Sequence, residues 1–340
     1  MVSSACASSG AGLDEIVRPT DGEPAASTVA AVVTRSDGSR AVGLYGNDAT
    51  GTPLTADVSF RIGSITKSFT ATTVMMLIED GLLALDDEVT EHLDSPLVPA
   101  GVTVRHLLQH TSGIPDYARA VDEVARSCPA SIDPLALVEG LPPDFAPGER
   151  HEYSNTNYLI LGQLLEAVGG QPPAAVIRKR ILDPLGLDRT YLEGSEPGPP
   201  PVPAVADFYD TGPGPIECDT PVWPDDTAAG MISDFADLDR FWRALFAGEL
   251  VDAATLSEML DANEQGHGLG VIRVPQPPVQ DVTLYGNGGK VVGYTTHTYY
   301  EPSTQTMIML MAPTGRGITL RLLDDVVRWA LDWQSPDRPP

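Results

Sequence analysis

The sequence predicts an α/β (α+β) fold. One antiparallel sheet, assembled from both ends of the chain and flanked by helices, carries an inserted, mainly helical lobe. Three observations lie behind this: strand-like runs at both ends, helix-like runs between them, and one helix apolar all round. The last is Ile65 to Ile78, where apolar residues fall on nearly every side of a helical wheel. On this reading residues 1–20 are a disordered start, residues 21–60 and 265–340 form the sheet lobe, and residues 61–264 form the helical lobe. A site at the junction is expected, because concave sites favour such places.

The elements follow in order. Thr28 to Arg35 and Arg40 to Tyr45 are β-branched and alanine-rich runs separated by Ser36-Asp37-Gly38-Ser39, a hairpin signal. Val58-Ser59-Phe60 then leads into the buried helix, which Gly81 is placed to end. Val102 to His110 reads as a short helix capped by Thr103, and Asp133 to Glu139 as another. An apolar helix is expected from the segment beginning at His151 to about Val168, and one from Pro172 to Leu182 closed by Asp183-Pro184-Leu185-Gly186. Glu196 to Pro221, rich in proline and glycine, is a surface loop or a lid. Asp234 to Ala247 and Asp252 to Ala262 read as helices. The period then changes: Gly268 to Val274, Val282 to Tyr285, Gly293 to Tyr300 and Thr306 to Met311 are strand-like. Arg316 to Trp333 closes the chain as an amphipathic helix with Leu322, Leu323, Val326, Val327 and Ala330 on one face.

Composition narrows the function. At 340 residues the chain can bury a large core. Its net charge of −26 repels nucleic acid and anionic membrane surfaces, so neither is an expected partner. No apolar run reaches the roughly 18 residues of a membrane span. Met1 to Leu13 lacks the basic and apolar regions of an intact signal peptide, which favours a cytoplasmic start; Ser4 to Gly10 also fits a trimmed exported N-terminus. Cys6, Cys128 and Cys218 show no metal spacing, and Cys128 and Cys218 are free to pair in an exported protein. A monomer is expected.

Lys67 is the one charged residue between Arg61 and Glu79, inside the apolar helix. Ser64 lies three residues earlier, one helical turn away on the same face. A serine beside a desolvated lysine is one route to a nucleophile; a snorkelling lysine and an N-cap serine is the ordinary alternative. Two further clusters stand out, Tyr153-Ser154-Asn155 and the glycine-dense Tyr285-Gly286-Asn287-Gly288-Gly289-Lys290. Each alone is weak: Tyr-x-Asn occurs by chance, and glycines in a strand often mark close backbone approach. His106 and His110 stand four apart, yet no third ligand follows, so no metal and no cofactor is expected.

In their order, the three clusters resemble the penicillin-recognising serine hydrolases: D-alanyl-D-alanine carboxypeptidases, class C β-lactamases and β-lactamase-fold esterases, with Ser-x-x-Lys, then Ser/Tyr-x-Asn, then Lys/His-Thr/Ser-Gly. Arg61 to Asp87, Leu107 to Tyr117, Pro147 to Gly170, Asp183 to Tyr191 and Ala229 to Phe241 share the likeness. The resemblance implies a β-lactamase/transpeptidase-like fold. It makes Ser64 the nucleophile toward an amide, ester or lactam carbonyl, with Lys67 and Tyr153 sharing general-base work. Free lysine and tyrosine side chains titrate at about 10, so such work depends on burial and charged neighbours. Asn155 would hold Lys67 and the substrate amide. The backbone N–H groups of Ser64 and Lys290 would form the oxyanion hole. Trp223 would line the substrate cleft, where ordinary core packing is its alternative. Gly289 and Asn287 complete the substrate-binding strand.

That strand departs from the family pattern, with Asn287 in place of an ionisable residue and Gly288 in place of a hydroxyl. Asn287 can donate to Tyr153 but carries no charge. Losing a charge-assisted contact to a substrate carboxylate removes about 1.5–3 kcal/mol, which Lys290 or Arg273 would have to replace. The expected function is an acyl-enzyme hydrolase acting on a small molecule or peptide, most like a D-alanyl-D-alanine carboxypeptidase. The alternatives are a biosynthetic or detoxifying esterase, amide hydrolase or acyltransferase, and a non-catalytic penicillin-binding sensor.

Overall fold

The computed structural model describes residues 12–18, 28–120, 133–204, 225–314 and 318–333. A short helix, α1 (Leu13–Ile16), precedes the hairpin β1 (Val29–Thr34) and β2 (Arg40–Tyr45). Then come β3 (Phe60–Arg61), a 3-10 turn at Gly63–Ile65, α2 (Thr66–Glu79) and α3 (Val104–Leu108). α4 (Asn155–Gly169), α5 (Pro173–Ile177) and α6 (Asp183–Leu185) follow, then β4 (Tyr191–Leu192), β5 (Met231–Ser233), α7 (Phe235–Phe246) and α8 (Ala253–Leu260). The chain closes with β6 (Ile272–Arg273), β7 (Tyr285–Val291), β8 (Tyr294–Glu301), β9 (Thr306–Ala312) and α9 (Leu320–Asp332).

Six strands form one antiparallel sheet in the order β2-β1-β9-β8-β7-β6, with β1 joined to β9 through Val32↔Met309. The two ends of the chain thus meet in its middle. Strand periodicity divides the buried residues between its faces. Ala30, Val32, Met307, Met309 and Met311 face the core built on α2, α4 and α7. Val29, Ala31, Val33, Ile308, Leu310 and Ala312 face α1 and α9. Because both faces are covered, β1 and β9 read as continuous apolar runs instead of alternating ones.

α2 is the axis of the helical part. Eleven of its fourteen residues are buried, including Lys67, and its buried threonines return their hydroxyls to its own carbonyls, Thr72 to Ser68 and Thr73 to Phe69. Gly81 (φ 71°) follows its C-terminus. Phe69 stacks on Phe241 of α7 with centroids 3.8 Å apart.

Some sequence expectations change. Residues 134–140 form successive turns instead of a helix. Between Pro134 and Gly140 (φ 76°) there is too little chain to propagate a helical nucleus, and Asp133 Oδ1 accepts from Leu135 N in a local turn. The helix expected over Pro172 to Leu182 passes into a π turn at Arg178–Leu182 before α6. Gly268 to Val274 contributes only the two residues of β6, because Gly270 (φ 73°) turns the chain against Ala71 and Lys67 O of α2. The strand expected at Val282 to Tyr285 instead begins at Tyr285 and runs through the glycine-dense segment. A three-stranded sheet, β3-β5-β4, whose strands are too short to show a period, lies among the helices. Residues 205–221 of the proline-rich loop, and with them Cys6, Cys128, Cys218 and Trp223, lie outside the described residues.

Candidate active site

The site forms where β7 presses on the turn leading into α2. A Cβ on Gly289 would stand 1.8 Å from Ile62 O, and one on Gly63 (φ 53°) 2.8 Å from Lys290 N. No side chain fits there, which is why the strand is glycine-dense. The turn bearing Ser64 and the strand bearing Lys290 therefore share one seam, where the two expected oxyanion donors belong.

Ser64 is partly exposed and Lys67, directly behind it, is buried. Lys67 Nζ donates to Ser64 Oγ (3.1 Å), Asn155 Oδ1 (2.7 Å) and Ala228 O (2.8 Å). Three acceptors meet its three donors, and the rings of Tyr153 and Tyr158 lie 4.9 and 5.5 Å away. A snorkelling lysine would turn its head outward; this one is turned inward. Nor does Ser64 act as a helix cap, since neither the turn nor α2 has a side-chain cap. Tyr153 OH donates to the same Ser64 Oγ at 2.7 Å. The hydroxyl is thus within proton-transfer reach of two groups at once.

Residues distant in sequence hold these groups. His110 (φ 58°) lies with its ring 4.3 Å from that of Tyr153, and its Nδ1 accepts from Ser154 N at 3.2 Å. Burial, the Lys67 charge and the neighbouring His267 and His151 hold His110 well below the ordinary histidine range. Burial, then His151 and Lys67, push His267 down to about 4. Its ring lies 4.7 Å from that of His151. This wall of the site is therefore made of neutral imidazoles. His106 is occupied elsewhere: its Nδ1 accepts from Thr103 N in the capping box of α3.

Asp226 organises the opposite side. Its Oδ1 accepts from Ala228 N (3.0 Å) and Ala229 N (2.9 Å), fixing the loop whose Ala228 O meets Lys67. Burial raises the Asp226 carboxyl, opposed by Ala229 N–H, the Lys67 charge and Ala228 N–H. Asp116 holds Asn155 at the start of α4 through its backbone N–H (3.0 Å) and its amide (3.2 Å to each carboxylate oxygen). The pull of Asp116 turns the Asn155 amide nitrogen away from Lys67. Neither carboxylate stands out in sequence, because no local pattern separates it from a solvated aspartate.

The third motif differs from expectation. Asn287 is buried, and its Nδ2 donates to Ser68 Oγ at 3.2 Å while its Oδ1 accepts from Gly288 N at 2.9 Å. Its amide is spent on α2 and its own strand, so the expected bond to Tyr153 is absent. A Cβ on Gly288 would point at His297 Nδ1 (3.1 Å). Lys290 is exposed, and Arg273 is exposed opposite Tyr285 on β6.

A serine oxygen shared between a buried lysine and a tyrosine, set at the seam of an antiparallel sheet and a helical body, defines a class: proteins of the β-lactamase/transpeptidase-like fold. The family described as Beta-lactamase matches residues 13–330, and the chain belongs to it. Penicillin-binding protein 4* of Bacillus subtilis (strain 168) is 31% identical over 224 residues, 60% of this chain and 48% of that protein. Esterase EstB of Burkholderia gladioli is 34% identical over 194 residues, 52% of this chain and 48% of that protein. The chain spans about half the length of these curated relatives. Among solved structures, D-amino acid amidase from Ochrobactrum anthropi SV3, complexed with L-phenylalanine amide, superposes with a TM-score of 0.79. It is 26% identical, and the match covers 94% of this chain and 97% of that one.

Proposed function

We propose that this chain is a serine hydrolase that forms an acyl-enzyme on Ser64 from a small amide or ester. The carrying observation is the pair of donors on one oxygen, Lys67 at 3.1 Å and Tyr153 at 2.7 Å. Once Lys67 or Tyr153 is deprotonated, the same contact reverses, and the Ser64 hydroxyl passes its proton to that group as it attacks the carbonyl. The tetrahedral oxyanion is stabilised by the N–H groups of Ser64 and Lys290. Tyr153, on the open side, returns the proton to the leaving group and activates the water that hydrolyses the acyl-enzyme.

Substrate class turns on β7. Neither Asn287 nor Gly288 supplies a cation or a hydroxyl for a substrate carboxylate, and the imidazole wall is neutral. This favours amides and esters without a terminal carboxylate, such as amino-acid amides; the relatives named as an esterase and a D-amino acid amidase support that choice. The D-alanyl-D-alanine carboxypeptidase reading is the second, supported by the penicillin-binding relative and by Lys290 on the same strand. Incubation with D- and L-amino-acid amides, short esters, D-Ala-D-Ala peptides and a fluorescent penicillin, followed by intact mass, tests both. Amide and ester turnover with little peptide turnover, all abolished in Ser64→Ala, is expected. No turnover of any of these would overturn the enzyme reading, and a lasting penicillin adduct without turnover would leave a sensor.

A further inference from the structure

Asp116 is tied to the active site from outside it. Its segment is stitched to the first turn of α4, where Thr156 Oγ1 donates to Pro115 O (2.7 Å) and accepts from Tyr117 N (3.0 Å). Asp116 Oδ1 accepts from Asn155 N, Asn155 Nδ2 and Ala118 N, and Oδ2 accepts from Asn155 Nδ2. Among the described residues no basic side chain forms an ion pair with it. Its negative charge is therefore directed at the Asn155 amide.

The donor and acceptor inventory makes this decisive. An ionised carboxylate only accepts, an ammonium only donates, and an asparagine amide has one end of each kind. With Asp116 on one side, Asn155 must turn its Nδ2 to Asp116 and its Oδ1 to Lys67, where the separation is 2.7 Å. Without that carboxylate, Lys67 alone would select this orientation and nothing would anchor the amide from its other side. Turned over, it would set two donors against each other at Lys67.

We propose that Asp116 is a positioning residue: through Asn155 it fixes the acceptor that holds Lys67 against Ser64. The inference rests on the reading of Ser64 and Lys67 given above. One amide hydrogen of Asn155 is thereby shared between the two Asp116 oxygens, and the other is left for a substrate.

The test is a double-mutant cycle read by the rate of Ser64 acylation with a chromogenic ester, across pH. Asp116→Asn is expected to lower kcat by about 10²-fold with little change in KM, the size of effect that misplacing a catalytic group by an ångström produces. Both limbs of its pH–rate profile should move to lower pH, because one negative charge leaves the neighbourhood. Asp116→Glu should recover part of the rate. In the Asn155→Ala background Asp116→Asn should add nothing further, since both act through one amide. Additive losses, or a wild-type rate and profile in Asp116→Asn, would overturn the proposal. If the wild type itself forms no acyl-enzyme, the functional reading fails. The crystal structure of Asp116→Asn then decides the positioning role: an opened Lys67–Asn155 contact upholds it, and an unchanged one overturns it.

Discussion

At the scale of single residues, Lys67 and Gly289 show how one position is held by several constraints. Lys67 is buried with three acceptors, one of them Ser64 Oγ. Lys67→Met keeps the shape and removes the proton acceptor, so kcat on an ester should fall by about 10²–10⁴-fold, the range of general-base effects. Steady-state kinetics check this. Gly289→Ala would place a methyl 1.8 Å from Ile62 O, so β7 must retreat from the Ser64 turn. Loss of the Lys290 donor should lower kcat by about 10²–10³-fold, with overpacking costing about 1–3 kcal/mol in a urea melt. The histidines set a pH dependence. His267 and His297 are pushed down to about 4, and His110 lies well below its ordinary value, mainly through burial. As pH falls, the unfolded chain takes up protons first. Stability is therefore fully present above about 6.5 and declines as pH drops from there toward 4. Asp226 and Asp237, with carboxyls raised by burial, act in the opposite sense but are outnumbered by the five lowered histidines, His106, His110, His151, His267 and His297. Urea unfolding at pH 7, 6 and 5 should show falling midpoints, and His297→Gln, on the face of the sheet away from Ser64, should flatten the trend.

At the scale of elements, β7 and α9 contrast in how far local pattern reveals them. The amphipathic period of α9 is plain, with Leu323, Val326, Val327 and Ala330 buried against the sheet. α9 lies across the sheet from α2. Leu323→Ala should therefore cost about 2 kcal/mol, the low end of such truncations, without changing kcat per folded molecule; denaturant melts and active-site titration together test this. β7 shows no period-2 apolar signal because three of its seven residues are glycines. Their purpose, backbone approach to Thr298 O and Ile62 O, is visible only once both partners are in place. For the same reason Asn287 reads as a partner for Tyr153 in sequence and proves to be bonded to Ser68. The helix expected over Asp133 to Glu139 is replaced by turns, in a segment bounded by Pro134 and Gly140.

At the scale of the whole molecule, the net charge of −26 is a self-repelling field over a large surface. Salt screens such a field within about 10 Å at 0.1 M. Raising ionic strength from low to physiological values should raise the midpoint of thermal unfolding, measured by calorimetry. The same field opposes anionic substrates, so KM for a carboxylate-bearing peptide should fall with added salt while KM for a neutral amide should not.

Local pattern alone marked the end strands and the buried helix, and the order of the three motifs, through the family likeness, marked Ser64, Lys67, Tyr153 and Asn155 as the proposed reactive group. Each is carried by spacing within a few residues: one helical turn from serine to lysine, two positions from tyrosine to asparagine. Tertiary structure alone decided what surrounds them. His110 and Asp116 lie in a segment that shares the family likeness, and Asp226, Ala228 and His267 lie outside those segments, but no local spacing assigns any of them its part in the site. Their importance lies in donor and acceptor directions and in desolvation, which exist only after distant segments meet. The same holds for Asn287, whose amide is oriented by what α2 presents to it.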